Sequence, residues 1–227
     1  MTTTVHLLRH GEVHNPTGIL YGRRPGFVLS DLGHKMAERV AGTIADRDIT
    51  HVVASPLERA QQTARPLADA LGLPIETDER VIESSNKFEG KNFGGGKGVL
   101  LRPSSWVHLW NPWRPSWGEP YKQVVARMVA AVNDARRAAE GHEAVVVSHQ
   151  LPIWMTRLYA EGRRLAHDPR QRQCTLCSLT SLTFEGERLR TITYSEPAAD
   201  LIPVKDRKAV FSSGGRDDDN LPGGIPR

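Results

Sequence analysis

The chain has 227 residues, 39% of them hydrophobic, a formal charge of +4 at pH 7 and a sequence pI near 9.3. That is enough apolar material for one substantial core, which excludes a small scaffold held together by disulfides or metal. The two cysteines, Cys174 and Cys177, form a single C-x-x-C with no second pair to complete a four-thiolate zinc site, so ordinary reduced thiols are expected.

Thr3 to Leu8 reads as a first strand whose near-continuous apolar character suits a central position. It runs straight into Arg9-His10-Gly11, at the strand end where open α/β sheets bind their ligands. Ser30 suits the N-cap of a helix that presents Leu32, Met36, Val40 and Ile44 along one face. A second strand, His51 to Ala54, is followed by a helix signal: Ser55 at the N-cap, Pro56 at the first helical position and Glu58 three after the cap. Arg59 then lies beside a helix end whose free N–H groups favour an anion. Gly72 and Pro74 stop that helix before a short strand at Ile75 to Thr77.

Residues 84–120 read as an irregular cap insertion, with Gly94, Gly95 and Gly96, several prolines, and Trp106, Trp110, Trp113 and Trp117. The tryptophans argue for a packed insertion; with Lys87, His108 and Arg114 they also make a candidate aromatic and basic rim for substrate. Tyr121 to Glu140 is an amphipathic helix ended by Gly141, and Ala144 to Val147 is a third buried strand leading into Ser148-His149-Gln150. A helix at Leu151 to Glu161 follows, then a hairpin of Ser178 to Phe184 and Arg188 to Tyr194 joined through Glu185-Gly186-Glu187. The alternation predicts an α/β fold, a three-layer α/β/α sandwich around a mostly parallel sheet, as one domain over residues 1–195. Residues 196–227 are polar and rich in proline and glycine, and a mobile tail is expected there.

Four segments carry a resemblance: Arg9-His10-Gly11-Glu12, Leu29-Ser30-Asp31-Leu32-Gly33, the run Ser55-Pro56-Leu57-Glu58-Arg59-Ala60-Gln61-Gln62-Thr63-Ala64, and Ser148-His149. Together, over residues 3 to about 195, the chain resembles the histidine phosphatase superfamily, also called the phosphoglycerate mutase-like family. The resemblance implies that His10 attacks phosphorus and becomes a phosphohistidine that water hydrolyses. Arg9 and Arg59 would bind the phosphoryl oxygens and lower the pKa of His10, and His149 would donate to the same oxygens. Glu83 stands where family members keep the acid that protonates the leaving group; Glu89, in Phe88-Glu89-Gly90, is the alternative. Asn15 and Arg23 are the implied substrate-binding residues, and Gln150, a departure from the family, is a further candidate for a polar contact with substrate. The chain departs from the family pattern in having Val13 for a threonine, Asn15 one position early, and Ser148 and Gln150 where glycines commonly flank the second histidine.

The expectation is therefore a hydrolase with no cofactor and no metal, acting on a small phosphorylated metabolite. A mutase that returns the phosphoryl group to an intermediate, and a silent phosphoester-binding protein, are the alternatives. No nucleic-acid partner is expected, because the densest basic group, Arg163, Arg164, Arg170 and Arg172, lacks interleaved aromatics. No apolar run reaches membrane-spanning length and no leader pattern is visible, so a cytoplasmic location without a membrane partner is expected. His6 is read as structural, and His14, His34, His51, His142 and His167 as loop or surface residues.

Overall fold

The computed structural model describes residues 1–16, 18–91 and 118–202. Six strands form one sheet: β1 (Thr2–Arg9), β2 (Ile49–Ala54), β3 (Ile75–Thr77), β4 (Glu143–Ser148), β5 (Leu179–Glu185) and β6 (Arg188–Ser195), in the order β3-β2-β4-β1-β5-β6. The first four run parallel, and β5 and β6 add an antiparallel hairpin along β1. The four long helices are α1 (Asp31–Ile44), α2 (Glu58–Leu71), α3 (Tyr121–Ala138) and α4 (Gln150–Ala160).

Alternation along each strand divides the core between the two faces of the sheet. On β4, Ala144 and Val146 join Val5 and Leu7 of β1 beneath Met128 and Val132 of α3 and Ile153 and Leu158 of α4. Val145 and Val147 point the other way, with Leu8, Val52 and Ala54, against Met36 and Val40 of α1 and Ala64 and Leu67 of α2. β4 is apolar on both faces because helices cover both, which gives the expected three layers. No described helix is long and apolar enough to cross a membrane.

Three local expectations shift. The second helix starts at Glu58 with Leu57 as its N-cap rather than at Pro56 behind Ser55. The Ser55 hydroxyl instead accepts from the Leu57 N–H and faces His149, so it is spent on the turn and on the site. The hairpin loop is two residues, Gly186-Glu187, with Gly186 at φ +58, and β5 gains Glu185. Past Glu196 the chain stays packed as far as 202: Ala198 and Ile202 are buried against the α1 and α2 layer.

The ends of the insertion lie side by side. Asn86 pairs with Gly118, and Glu119 N–H donates to the Ser85 carbonyl at 3.1 Å. The four tryptophans, His108 and Arg114 lie outside the described residues, as does the tail from 203 onward.

Candidate active site

Register sets the site. β1 and β4 pair Arg9 with Ser148, while β2 and β4 pair Ala54 with Val147, so three parallel strands end at one level. Just beyond, His10 N–H donates to the Ser148 carbonyl at 3.1 Å and Ser55 N–H to the Val147 carbonyl at 3.0 Å. His10, His149 and the first turn of α2, with Arg59, thereby meet at one edge of the sheet.

His10 is buried, and its Nδ1 lies 2.8 Å from the Gly11 carbonyl oxygen. A carbonyl can only accept, so Nδ1 carries the proton and the lone pair sits on Nε2. Burial, followed by the Arg59 and Arg9 guanidiniums, holds the His10 pKa well below its usual 6.5. The ring is therefore neutral near pH 7.

Close backbone packing holds that loop. Gly11 N–H donates to Thr63 Oγ1 at 3.0 Å, and a Cβ on Gly11 would stand 2.7 Å from the Gly33 carbonyl oxygen. A Cβ on Gly33 would meet the Glu12 carbonyl oxygen at 2.1 Å. Ser30 caps α1 through the Gly33 N–H at 3.0 Å and donates its hydroxyl to Glu12 at 2.5 Å. Two of the sequence motifs are thus two sides of one contact.

Arg59 is 1% exposed, donates to the Gly22 carbonyl at 2.7 Å and lies 4.7 Å from the centroid of the Tyr21 ring. Arg9 donates to the Cys174 carbonyl at 2.6 Å. The Nε atoms of both arginines are buried without a partner among the described residues. His149, fully buried, is the N-cap residue of α4; its Nε2 is 2.8 Å from Ser55 Oγ, and its Nδ1 is likewise unpartnered. The two imidazole rings are 5.1 Å apart, and burial, then His10, Arg59, Arg9 and Arg127, holds the His149 pKa well below 6.5. Three orphaned polar atoms on the residues about one neutral histidine are donors of the kind that suits an anion with several acceptor oxygens.

Glu83 follows a 3-10 turn, Glu79–Val81, that Ser148 anchors by donating its hydroxyl to the Val81 carbonyl at 2.7 Å. Its carboxylate accepts from the Ser84 N–H at 2.8 Å. Burial pushes its pKa up from 4.5, against the pull of that N–H and of Arg59, Arg172 and Arg9. Glu89 instead accepts from the Asn86 N–H at 3.0 Å and packs against Gly22, which has no room for a Cβ there.

The remaining sequence candidates are placed differently. Arg23 donates to the Glu83 carbonyl at 2.5 Å and pairs with Glu119 at 2.9 Å, so it braces the Glu83 backbone. Asn15 closes its own loop, with Nδ2 donating to the Ile19 carbonyl at 2.9 Å and Oδ1 accepting from the Ile19 N–H. Gln150 donates to the Cys174 carbonyl that Arg9 also uses, at 3.4 Å. Both thiols are free and buried, and burial pushes Cys177 up to about 12 and Cys174 upward as well. Among the described residues no group of three or more His, Cys, Asp or Glu side chains is arranged to hold a metal ion.

Sequence reading missed Ser55, Tyr21 and Arg172. The first was spent on a helix cap, the second had no motif, and the third was grouped with scattered basic residues. That group dissolves in the structure, since Arg163 pairs with Glu161 and Arg170 with Asp168.

The chain is 57% identical over 197 residues to the uncharacterized protein Rv0525 of Mycobacterium tuberculosis, covering 87% of this chain and 98% of that one. It is 29% identical to a probable phosphoglycerate mutase GpmB of Yersinia pestis, covering 80% and 85%. The solved structure of the mycobacterial glucosyl-3-phosphoglycerate phosphatase Rv2419c superposes with a TM-score of 0.61 at 22% identity, covering 81% of this chain and 91% of that one, and so shares the fold. The model of the histidine phosphatase superfamily (branch 1) matches residues 5–197, and the chain belongs to that family.

Proposed function

We propose that this protein is a phosphomonoester hydrolase that acts on a small phosphorylated metabolite through a phosphohistidine on His10. The observation that carries the reading is the Nδ1–H bond of His10 to the Gly11 carbonyl, which leaves a neutral Nε2 lone pair beside the unpartnered Arg9, Arg59 and His149 atoms.

In the first half-reaction the His10 Nε2 lone pair attacks phosphorus as the phosphorus–oxygen bond to the alcohol breaks. Glu83, whose protonated form burial favours, passes its proton to the departing oxygen. Arg9 and Arg59 meet the charge on the phosphoryl oxygens. With Ser55 donating its hydroxyl to Nε2 of His149, that ring keeps its proton on Nδ1 and offers it to the same oxygens. In the second half the Glu83 carboxylate takes a proton from water, the oxygen of that water attacks phosphorus, and the nitrogen–phosphorus bond breaks to return His10. The phosphoryl charge is met by protein cations, so no step calls for a metal.

Family membership and the named phosphatase of the same fold support hydrolysis. A second reading, return of the phosphoryl group as in a mutase, is favoured by the likeness to the probable phosphoglycerate mutase of Yersinia pestis. The two are separated by assaying phosphate release from a panel of monoesters with and without 2,3-bisphosphoglycerate. Release independent of that compound is expected; isomerisation that requires it would reject the hydrolase. His10→Ala is expected to abolish turnover, and the trapped phosphoenzyme with it, while leaving phosphate binding measurable. Undiminished turnover in that variant would overturn the mechanism.

A further inference from the structure

Every described arginine that is buried or half-buried has a described carboxylate within 4.0 Å, except three. Two of the exceptions, Arg9 and Arg59, belong to the phosphoryl pocket. The third is Arg172.

Its placement is specific. Arg172, Gln173 and Cys174 are consecutive, and the Cys174 carbonyl is the one that holds Arg9, so Arg172 lies two residues from the pocket wall on an extended stretch with φ −71 and ψ 113. Its Nε donates to His167 Nε2 at 2.8 Å, and His167 Nδ1 donates in turn to the Leu165 carbonyl at 2.8 Å. That second bond fixes the tautomer that lets Nε2 accept. Tyr121 and Trp154 flank the His167 ring with centroids at 5.7 and 6.1 Å. The guanidinium is thus oriented by a neutral, packed imidazole. No acidic residue occurs in 92–117 to pair with it.

The groups whose charges act on Arg172 are Tyr121, Glu83, Cys174 and Arg9. Glu83 is the proposed proton donor to the leaving group and Arg9 a proposed phosphoryl ligand, so the Arg172 charge acts on the site from the wall that Cys174 forms, within reach of both. A guanidinium beside the general acid opposes protonation of that acid, which is unfavourable for catalysis unless an incoming negative charge offsets it. We infer that Arg172 receives a second anionic group, a carboxylate or a second phosphate carried by the alcohol portion of the substrate, so that the preferred substrates are acidic phosphomonoesters. Arg is the residue suited to this task, because its planar fork matches both groups. The inference rests on the hydrolase reading.

The test uses the full chain and three three-carbon phosphomonoesters that end in a hydroxyl, a carboxylate or a second phosphate. The wild type is expected to favour at least one acidic ester over the hydroxyl ester in kcat/KM by roughly 10- to 100-fold, the range for a charge-assisted contact. The carboxylate and phosphate arms identify which anion is taken. In Arg172→Met that selectivity ratio is expected to collapse towards one, and in Arg172→Lys to recover in part. Using the ratio removes any effect exerted through Glu83, which both esters share. A wild-type ratio near one, or a ratio unchanged in Arg172→Met, overturns the inference even if all three esters are hydrolysed. If Arg172→Met does not fold, the wild-type ratio still decides. Failure to hydrolyse any ester overturns the hydrolase reading instead. In that case equilibrium binding of the same three compounds decides for Arg172, with equal affinities overturning it.

Discussion

His10 titrates under the control of its neighbours, and so does Glu83, and together they set an expected pH profile. In the proposed mechanism His10 attacks only when neutral, and burial beside Arg59 and Arg9 keeps it neutral below its usual 6.5. Glu83, as the proposed donor, acts only when protonated, and burial extends that form above 4.5. Activity on alkyl phosphates should therefore fall on the acid side through the lowered His10 pKa and on the alkaline side through the raised Glu83 pKa, with its optimum between the two. Glu83→Gln should lower kcat for an alkyl phosphate by roughly 10²- to 10⁴-fold and remove the alkaline limb. An aryl phosphate with a good leaving group should suffer far less, and equal losses on both esters would rule out Glu83 as the proton donor. His10, Arg59 and His149 were legible because motifs carry them to strand ends. Arg172 was not, because pairing is a property of three dimensions: Arg163 and Arg170 found carboxylates two residues away, and Arg172 has none among the described residues.

Among elements, α1 shows how a helix can be fixed by backbone contact as much as by its apolar stripe. Gly33 and Gly42 both lie on it, yet a Cβ on Gly33 would press on the Glu12 carbonyl while one on Gly42 meets nothing within 4 Å. Gly33→Ala is expected to destabilise by about 1–3 kcal/mol, the usual range for overpacking, and to impair activity because Glu12 adjoins the His10 loop. Gly42→Ala is expected to stabilise by about 0.5–1 kcal/mol through helix propensity alone. Thermal melts of the pair check both signs. Most elements were readable from periodicity and end signals, β3 and the Ser30 cap to the residue. The start of α2 was not, because a serine that looks like a cap from sequence is claimed by His149, a partner 94 residues away. Likewise the Cys174 carbonyl that orients Arg9 is invisible to any local pattern.

At the scale of the molecule, His6, His10, His149 and His167 all have folded pKa values held below 6.5, chiefly by burial. The unfolded chain takes up protons that the fold resists, so their contribution to stability is complete above about pH 6.5 and is lost as pH falls through the folded values. Glu83 works in the opposite sense, one group against four. The melting temperature should decline steadily from pH 7 to pH 5; a flat profile would show that these histidines do not govern acid stability. The topology adds a constraint on how the protein comes into being. β4 lies between β1 and β2, so the ends of those two early strands have no common neighbour until it arrives. A nascent chain that has released both strands still holds an open gap where the pocket belongs, and long-range parallel pairing of this kind is slow. Hydrolytic activity should therefore be a late reporter during refolding, trailing helix content and compaction and appearing only when β4 has docked.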